Sequence, residues 1–336
     1  MEHKSLIVLA LAVIILLTAA FALYIIFHNH AYAKQPIKQP ITHYSLIIGI
    51  GTHGNESSEL KALESGVKYY RTDIMLTKSQ EQWLAYEHSK YGANYLGILD
   101  YATVPNGYAN KNWNLSVWNE SVSNAVNSYP YITTWEIWNE PWVSQFQTGY
   151  MNGSAYNYFM VIKSAATIIR EKEPNATIVC FGGAPMGNYQ IYEWYADVWH
   201  YGAANYCNAI SLHAYIPLPT PLSSALAESW NQTINAYAQL THKPIWITEF
   251  GMPASSVIPG YSPALQKEFL LESLNLFSKN GNVTRAYWYD LWGLSDGALD
   301  NNYGLLNLTN PYNGTPEPAW YSFLQAYNSS ESSLAS

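Results

Sequence analysis

From residue 45 onward, short apolar runs alternate with longer stretches in which apolar positions recur every three or four residues. The short runs read as strands over 45–50 (SLIIGI), 67–74 (VKYYRTDI), 94–99 (NYLGIL) and 132–139 (ITTWEIWN). Four more follow over 176–182 (ATIVCFG), 208–214 (NAISLHA), 244–250 (PIWITEF) and 283–290 (VTRAYWYD). The stretches between them predict helices over 57–65, 78–90, 118–128, 154–172, 188–200, 222–240, 263–279 and 317–327. Segment 154–172 (SAYNYFMVIKSAATIIREK) shows the pattern clearly, and Glu173-Pro174-Asn175 ends it. A nearly continuous apolar strand followed by an amphipathic helix is a βαβ half-unit, with helices covering a parallel sheet. Eight such units over about 250–300 residues predict an α/β fold, a (β/α)8 TIM barrel. A doubly wound open sheet is the alternative arrangement of the same units.

The pattern differs at both ends. Residues 5–27 (SLIVLALAVIILLTAAFALYIIF) carry no charge and follow Lys4. About 20 apolar residues span a membrane as a helix, whereas a signal peptide usually has an apolar region of about 7–15. The run is therefore expected to be a single-pass anchor, with cleavage kept open by Ala20-Phe21-Ala22 and Ala31-Tyr32-Ala33. Residues 1–30 form this segment, and 31–43 (AYAKQPIKQPITH) read as an extended linker. One catalytic-sized domain occupies 44–328, and the Ser-rich tail 329–336 is expected to be disordered.

Composition narrows the function classes. Charged residues are 12% of the chain, about half the usual share. The net charge of −8 comes without a basic stripe, which argues against nucleic acid as a partner. The scarcity of surface carboxylates suggests service in acid, since little is lost on protonation. Sequons begin at Asn55, Asn114, Asn119, Asn152, Asn175, Asn231, Asn282, Asn307, Asn313 and Asn328. Beside the leading apolar run they suggest a glycoprotein on the outer face of the cell membrane, or a secreted one. Cys180 and Cys207 are the only cysteines. They can pair in an oxidising compartment or remain buried thiols, and two cannot make a four-thiolate zinc site. The 13 Trp and 29 Tyr exceed what a core of this size requires; stacking on sugar rings or a Tyr-rich surface would use the surplus.

In a TIM barrel the chemistry lies at the C-terminal ends of the strands. The fourth predicted strand ends Trp135-Glu136-Ile137-Trp138-Asn139-Glu140-Pro141, and the seventh ends Trp246-Ile247-Thr248-Glu249-Phe250-Gly251. Strands four and seven stand across the ring from each other, so Glu140 and Glu249 would face one another at its mouth. Cleavage of an acetal with retention needs two such carboxyl groups about 5–5.5 Å apart. These paired segments resemble the strand-four and strand-seven signatures of the clan A glycoside hydrolases, families 5 and 39 above all.

The resemblance runs through strand order over 44–328 and is specific at a few short stretches. It implies Glu140 as acid/base, Glu249 as nucleophile and Asn139 as a ligand of the sugar 2-hydroxyl. Arg71, in Tyr70-Arg71-Thr72-Asp73, matches the clan's Arg beside the nucleophile, and a guanidinium there would keep that carboxylate ionised. His213 and Tyr215 match the H-x-Y of strand six, with Tyr215 positioned to donate to Glu249. Trp288 resembles the platform under the sugar, with Trp292 as its rival. His53 and Trp138 are further pocket candidates. The segment Asp100-Tyr101-Ala102-Thr103 carries no marker that separates the families. Glu136, a third acid, reads as a buried partner inside the barrel.

The implied mechanism is double displacement without metal or organic cofactor. A metal-dependent barrel would want H-x-H at strand one, where only His53 stands, with His28-Asn29-His30 beside the apolar run. A noncatalytic sugar-binding barrel would be expected to lack one of the two acids. A transglycosylase would use both, as a hydrolase does. Tyr108, Trp113, Trp142, Phe146, Tyr150 and Tyr303 suggest an extended cleft. The expected substrate is a β-linked glucan, mannan or exopolysaccharide, cut internally by a monomeric enzyme.

Overall fold

A computed structural model describes residues 45–52, 56–109, 111–216, 218–255, 257–293, 302–307 and 314–335. Eight strands form a closed, all-parallel barrel in chain order: β1 (Ile47–Thr52), β2 (Tyr69–Asp73), β3 (Asn94–Leu99), β4 (Thr134–Ile137), β5 (Thr177–Pro185), β6 (Ala209–Tyr215), β7 (Ile245–Gly251) and β8 (Val283–Trp288). The helices are α1 (Glu56–Glu64), α2 (Lys78–Tyr91), α3 (Leu115–Ser128), α4 (Ala155–Lys172), α5 (Tyr189–His200), α6 (Ser224–Thr241), α7 (Pro263–Lys279) and α8 (Pro318–Leu334). The predicted strands and helices all occur, and closure of β1 on β8 decides against an open sheet. After β8, three two-residue strands, β9 (Trp292–Gly293), β10 (Leu306–Asn307) and β11 (Thr315–Pro316), make a small sheet.

Local chemistry sets the helix ends. Ser154 caps α4 by accepting from the Asn157 N–H, and α4 buries Tyr158, Phe159, Val161, Ile162, Ala165, Ala166 and Ile169. That spacing is one helical face. Asn114 accepts from the Ser116 and Val117 N–H groups, so α3 starts three residues earlier than its apolar pattern. In the lower barrel, Leu96, Val179, Ala209, Trp246 and Tyr287 fill the interior. Glycines 49, 51 and 54 are spaced as in a dinucleotide-binding turn, but Gly49 has a packing role: a Cβ there would fall 2.5 Å from the Tyr287 ring.

Among the described residues most of the tryptophans are buried in the core, whereas most of the tyrosines are only partly buried or exposed. Trp118, Trp135, Trp138, Trp230 and Trp288 are all fully buried. Cys180 and Cys207 form a disulfide, a choice the sequence left open. The expected disordered tail is corrected over most of its length. Helix α8 continues through Leu334, and Ser330 is buried with its hydroxyl donating to the Leu46 carbonyl. Serines have modest helix propensity, but one buried face outweighs it. Among the described residues no helix is long and apolar enough to cross a membrane; the apolar run 5–27 and the linker lie outside them.

Candidate active site

The site is assembled at the strand ends from β2, β4, β6 and β7. Arg71 of β2 is buried and spends each nitrogen on a different side chain. Its Nε donates to Glu136 Oε2 at 2.6 Å, Nη1 to Glu249 Oε1 at 2.5 Å and Nη2 to Asn139 Oδ1 at 2.9 Å. Burial works against the guanidinium's charge, but Glu136 and Glu249 more than offset it and hold it ionised.

Beyond Ile137 the chain leaves regular strand geometry. Trp138 and Glu140 take left-handed backbone, with φ of 71° and 44°. For residues with a Cβ this costs on the order of 1–3 kcal/mol each. Hydrogen bonds hold it: Trp138 N–H to Leu99 O at 2.8 Å, and Glu140 N–H to Gly182 O at 2.6 Å. The Trp138 ring is buried between Trp113 and Trp118, so it anchors the turn from below instead of lining a pocket. Asn139 and Glu140 are left half-buried at the mouth.

Two bulges complete the arrangement. On β5 the register jumps between Cys180 and Ala184, so Phe181, Gly182 and Gly183 have no register partner on β6. Gly183 has φ +81°, and a Cβ on it would fall 2.2 Å from His213 Nε2; only glycine lets that ring lie against the strand. On β7, Leu212 pairs with Ile247 but His213 pairs with Glu249, which makes Thr248 the extra residue. Thr248 and Glu249 therefore both turn inward.

Strand β6 needs no such device. Alternation points Ser211, His213 and Tyr215 into the barrel. The Tyr215 hydroxyl donates to Glu249 Oε2 at 2.6 Å. His213 Nδ1 lies 3.0 Å from Glu140 Oε1 and 3.5 Å from Glu249 Oε2. Those two distances cap the separation of the two oxygens at about 6.5 Å, reached only if nitrogen and oxygens were collinear. Burial alone would raise the Glu249 carboxyl; His213, Arg71 and the Tyr215 hydroxyl together outweigh it and hold it below the usual range.

Residues 67–318 match the family described as glycosyl hydrolase catalytic core. The chain belongs to that family. Among solved structures, this glycosyl hydrolase core resembles a family 39 glycoside hydrolase from Bacteroides cellulosilyticus WH2, with TM-score 0.62 and 17% identity over 87% of this chain and 65% of that one. It also resembles the family 1 β-glucosidase from Thermotoga maritima (TM-score 0.62, 12% identity, 86% and 99% covered). A third is the family 128 endo-β-1,3-glucanase from Amycolatopsis mediterranei (TM-score 0.54, 16% identity, 83% and 98% covered). These likenesses concern the fold. The chain spans 65% and 50% of the lengths of the family 39 enzyme and of a β-D-glucuronidase from Dictyoglomus thermophilum. No curated protein matches the sequence.

The glycosyl hydrolase core thus brings Arg71, Asn139, Glu140, His213, Tyr215 and Glu249 together. Trp288 is a correction. It is fully buried against Phe250 and Phe269, in the layer between the barrel and α7. Alternation turns Tyr287 inward and Trp288 outward, which brings the next residue, Tyr289, to the site. Its ring meets Tyr215 at 6.2 Å and Tyr303 at 5.7 Å. Trp292 lies on β9, half-buried against the core, with no ring contact to the site among the described residues. His53 lies outside the described residues. Of the loop aromatics, Trp113 is buried, with Nε1 donating to Thr148, and Phe146 stacks on Tyr101. Sequence reasoning missed Ser211, Thr248 and Gly183, although the spacing of Ser211, His213 and Tyr215 would have found the first.

Proposed function

We propose that this protein is a retaining β-glycoside hydrolase with Glu249 as nucleophile and Glu140 as acid/base. The observation that carries this is the single His213 nitrogen shared by both carboxylates. It caps the separation of Glu140 Oε1 and Glu249 Oε2 at about 6.5 Å, the lower edge of the range of about 6.5–9.5 Å in which an inverting enzyme holds a water, which supports retention. Glu249, kept anionic by Arg71 and Tyr215, attacks the anomeric carbon and forms a glycosyl ester. Glu140 gives its proton to the departing oxygen. The ester removes the charge on Glu249; Glu140 then takes a proton from water, which attacks the same carbon and frees Glu249. Asn139 Oδ1 is occupied by Arg71, so its amide N–H groups are turned to a sugar hydroxyl. Tyr289 and Tyr303 supply the aromatic wall.

The substrate is a β-linked polysaccharide cut internally. Half-buried Trp142 and Tyr303 at the rim support an extended cleft, and a β-1,3-glucan leads the candidates because the Amycolatopsis enzyme was solved with laminarihexaose. Proton NMR of products from β-1,3-glucan, β-1,4-glucan, mannan and xylan, with Glu249→Ala as blank, tests the reading. A β-anomer formed first is the expected result, and an α-anomer formed first overturns it. The apolar run 5–27 holds the barrel at the outer membrane face, a reading supported by the sequons and the Cys180–Cys207 disulfide. Release of the protein by alkaline carbonate would count against an anchor.

A further inference from the structure

Beneath the two carboxylates lies a buried network that the reaction above does not use. Glu136 is fully buried and both its oxygens are occupied: Oε2 by Arg71 Nε and Oε1 by the Ser211 hydroxyl, each at 2.6 Å. Ser211 Oγ in turn accepts from the Gly183 N–H at 2.7 Å and lies 2.5 Å from Thr248 Oγ1. A hydroxyl has one proton to give, and an ionised carboxylate can only accept. Ser211 therefore donates to Glu136, and Thr248 must donate to Ser211. Every direction in the network follows from Glu136 being an anion.

Each link stands on a different strand: Arg71 on β2, Glu136 on β4, Gly183 on β5, Ser211 on β6 and Thr248 on β7. Thr248 is the extra residue that turns Glu249 inward, and Gly183 is the backbone against which His213 lies. At the other end, the guanidinium that Glu136 holds reaches Glu249 and Asn139. We propose that Glu136 is the positioning residue of this site, fixing Arg71 by charge and, through Ser211, the two bulges that present Glu249 and His213. The proposal rests on Glu249 being the nucleophile.

Charge gives it a signature that packing alone would not. The groups bearing on Glu249 are Arg71 from β2 and His213 and Tyr215 from β6; Glu140, just past β4, shares His213 Nδ1 with it, and Tyr289 and Tyr303, from the chain after β8, pack on the Tyr215 ring. Asp73 and Asp100, at the ends of β2 and β3, also feel the Arg71 charge. Glu136 competes with Glu249 for that charge. A Gln at 136 removes the competitor, so Glu249 should titrate lower still; it also turns an NH2 toward one of two donors, which loosens Arg71.

The test is the titration of Glu249, read by NMR of protein carrying 13C-labelled glutamate and assigned with Glu249→Gln, beside steady-state kinetics. Glu136→Gln is expected to lower the Glu249 midpoint and to cut kcat by about 100-fold with KM nearly unchanged. Glu136→Asp should restore the midpoint. Ser211→Ala keeps every charge, so it should lower kcat and leave the midpoint in place, and it decides the matter if Glu136→Gln does not fold. An unmoved midpoint in Glu136→Gln, or wild-type kcat in Ser211→Ala, overturns the proposal. Should the wild type turn over none of the glycans, the functional reading falls while the NMR midpoint still judges the network.

Discussion

Glu249 is faced from three directions: it accepts from Arg71 Nη1 and from the Tyr215 hydroxyl, and the His213 ring, bonded to Glu140, lies 3.5 Å away. Each favours the anion and opposes the effect of burial, so each can be removed and its share read from the pH profile. Tyr215→Phe takes away a hydrogen bond to a charged group, worth about 1.5–3 kcal/mol, so kcat/KM should fall about 10- to 100-fold. The sign of the pH effect follows. Tyr215 lowers the Glu249 carboxyl, so its loss moves the acidic limb of kcat/KM to higher pH, opposite to the shift expected for Glu136→Gln. An acidic limb that stays in place would mean Tyr215 does not bear on the ionisation. At Gly183 the demand is steric. Gly183→Ala puts a methyl into the His213 ring, whereas Gly187→Ala, also at positive φ, meets nothing closer than Ser229 Oγ at 3.8 Å. Activity should drop at least tenfold further in the first variant than in the second, measured at equal folded fraction. The candidates that the structure brings together, Arg71, Asn139, His213, Tyr215 and the two glutamates, sit in short motifs at strand ends. Trp288 was misread because alternation at the end of β8 turns it outward.

At the scale of elements, the apolar pattern was enough to find the eight barrel strands and the eight helices, because the strands are near-continuous buried runs and most helices bury an apolar face; α2, which buries Gln80, Leu84 and Glu87, is the exception. It was not enough to find the bulges on β5 and β7, since an extra residue leaves no mark on an apolar run. Those bulges decide which side chains enter the site. The disulfide adjoins one of them: Cys180 immediately precedes Phe181, and its partner Cys207 lies just before β6. Cross-links across a separation of 27 residues restrict the unfolded chain by about 3–4 kcal/mol. Reduction, or a Cys180→Ala/Cys207→Ala pair, should lower Tm by several degrees in calorimetry. Because the bulge carries the His213 seat, activity should decline at temperatures where the oxidised protein is still fully active. A Tm unchanged by reductant would show that the bond adds nothing to the folded barrel.

For the molecule as a whole, the barrel closes where the chain's two described ends meet. Strand β1 pairs with β8, and α8 covers the seam, burying Trp320, Phe323, Ala326 and Tyr327. The Tyr327 hydroxyl accepts from the Lys68 N–H at 3.1 Å, and the Ser330 hydroxyl donates to the Leu46 carbonyl. The last helix is thus tied to the chain on both sides of α1. A protein ending at Asn328 would lose the Ser330 bond and the final turns of α8, leaving a buried carbonyl without its donor. An unsatisfied buried group of this kind costs about 1–3 kcal/mol, and fraying of α8 adds to it. The truncated protein should melt several degrees lower than one ending at Leu334. Ser330→Ala in the full chain separates the hydrogen bond from the helix, and should reproduce only part of the loss. Equal Tm values for the two truncations would return 329–336 to the status of a dispensable tail; a lower value for the shorter one shows that a Ser-rich segment, unremarkable by composition, is held in the fold by a single buried face.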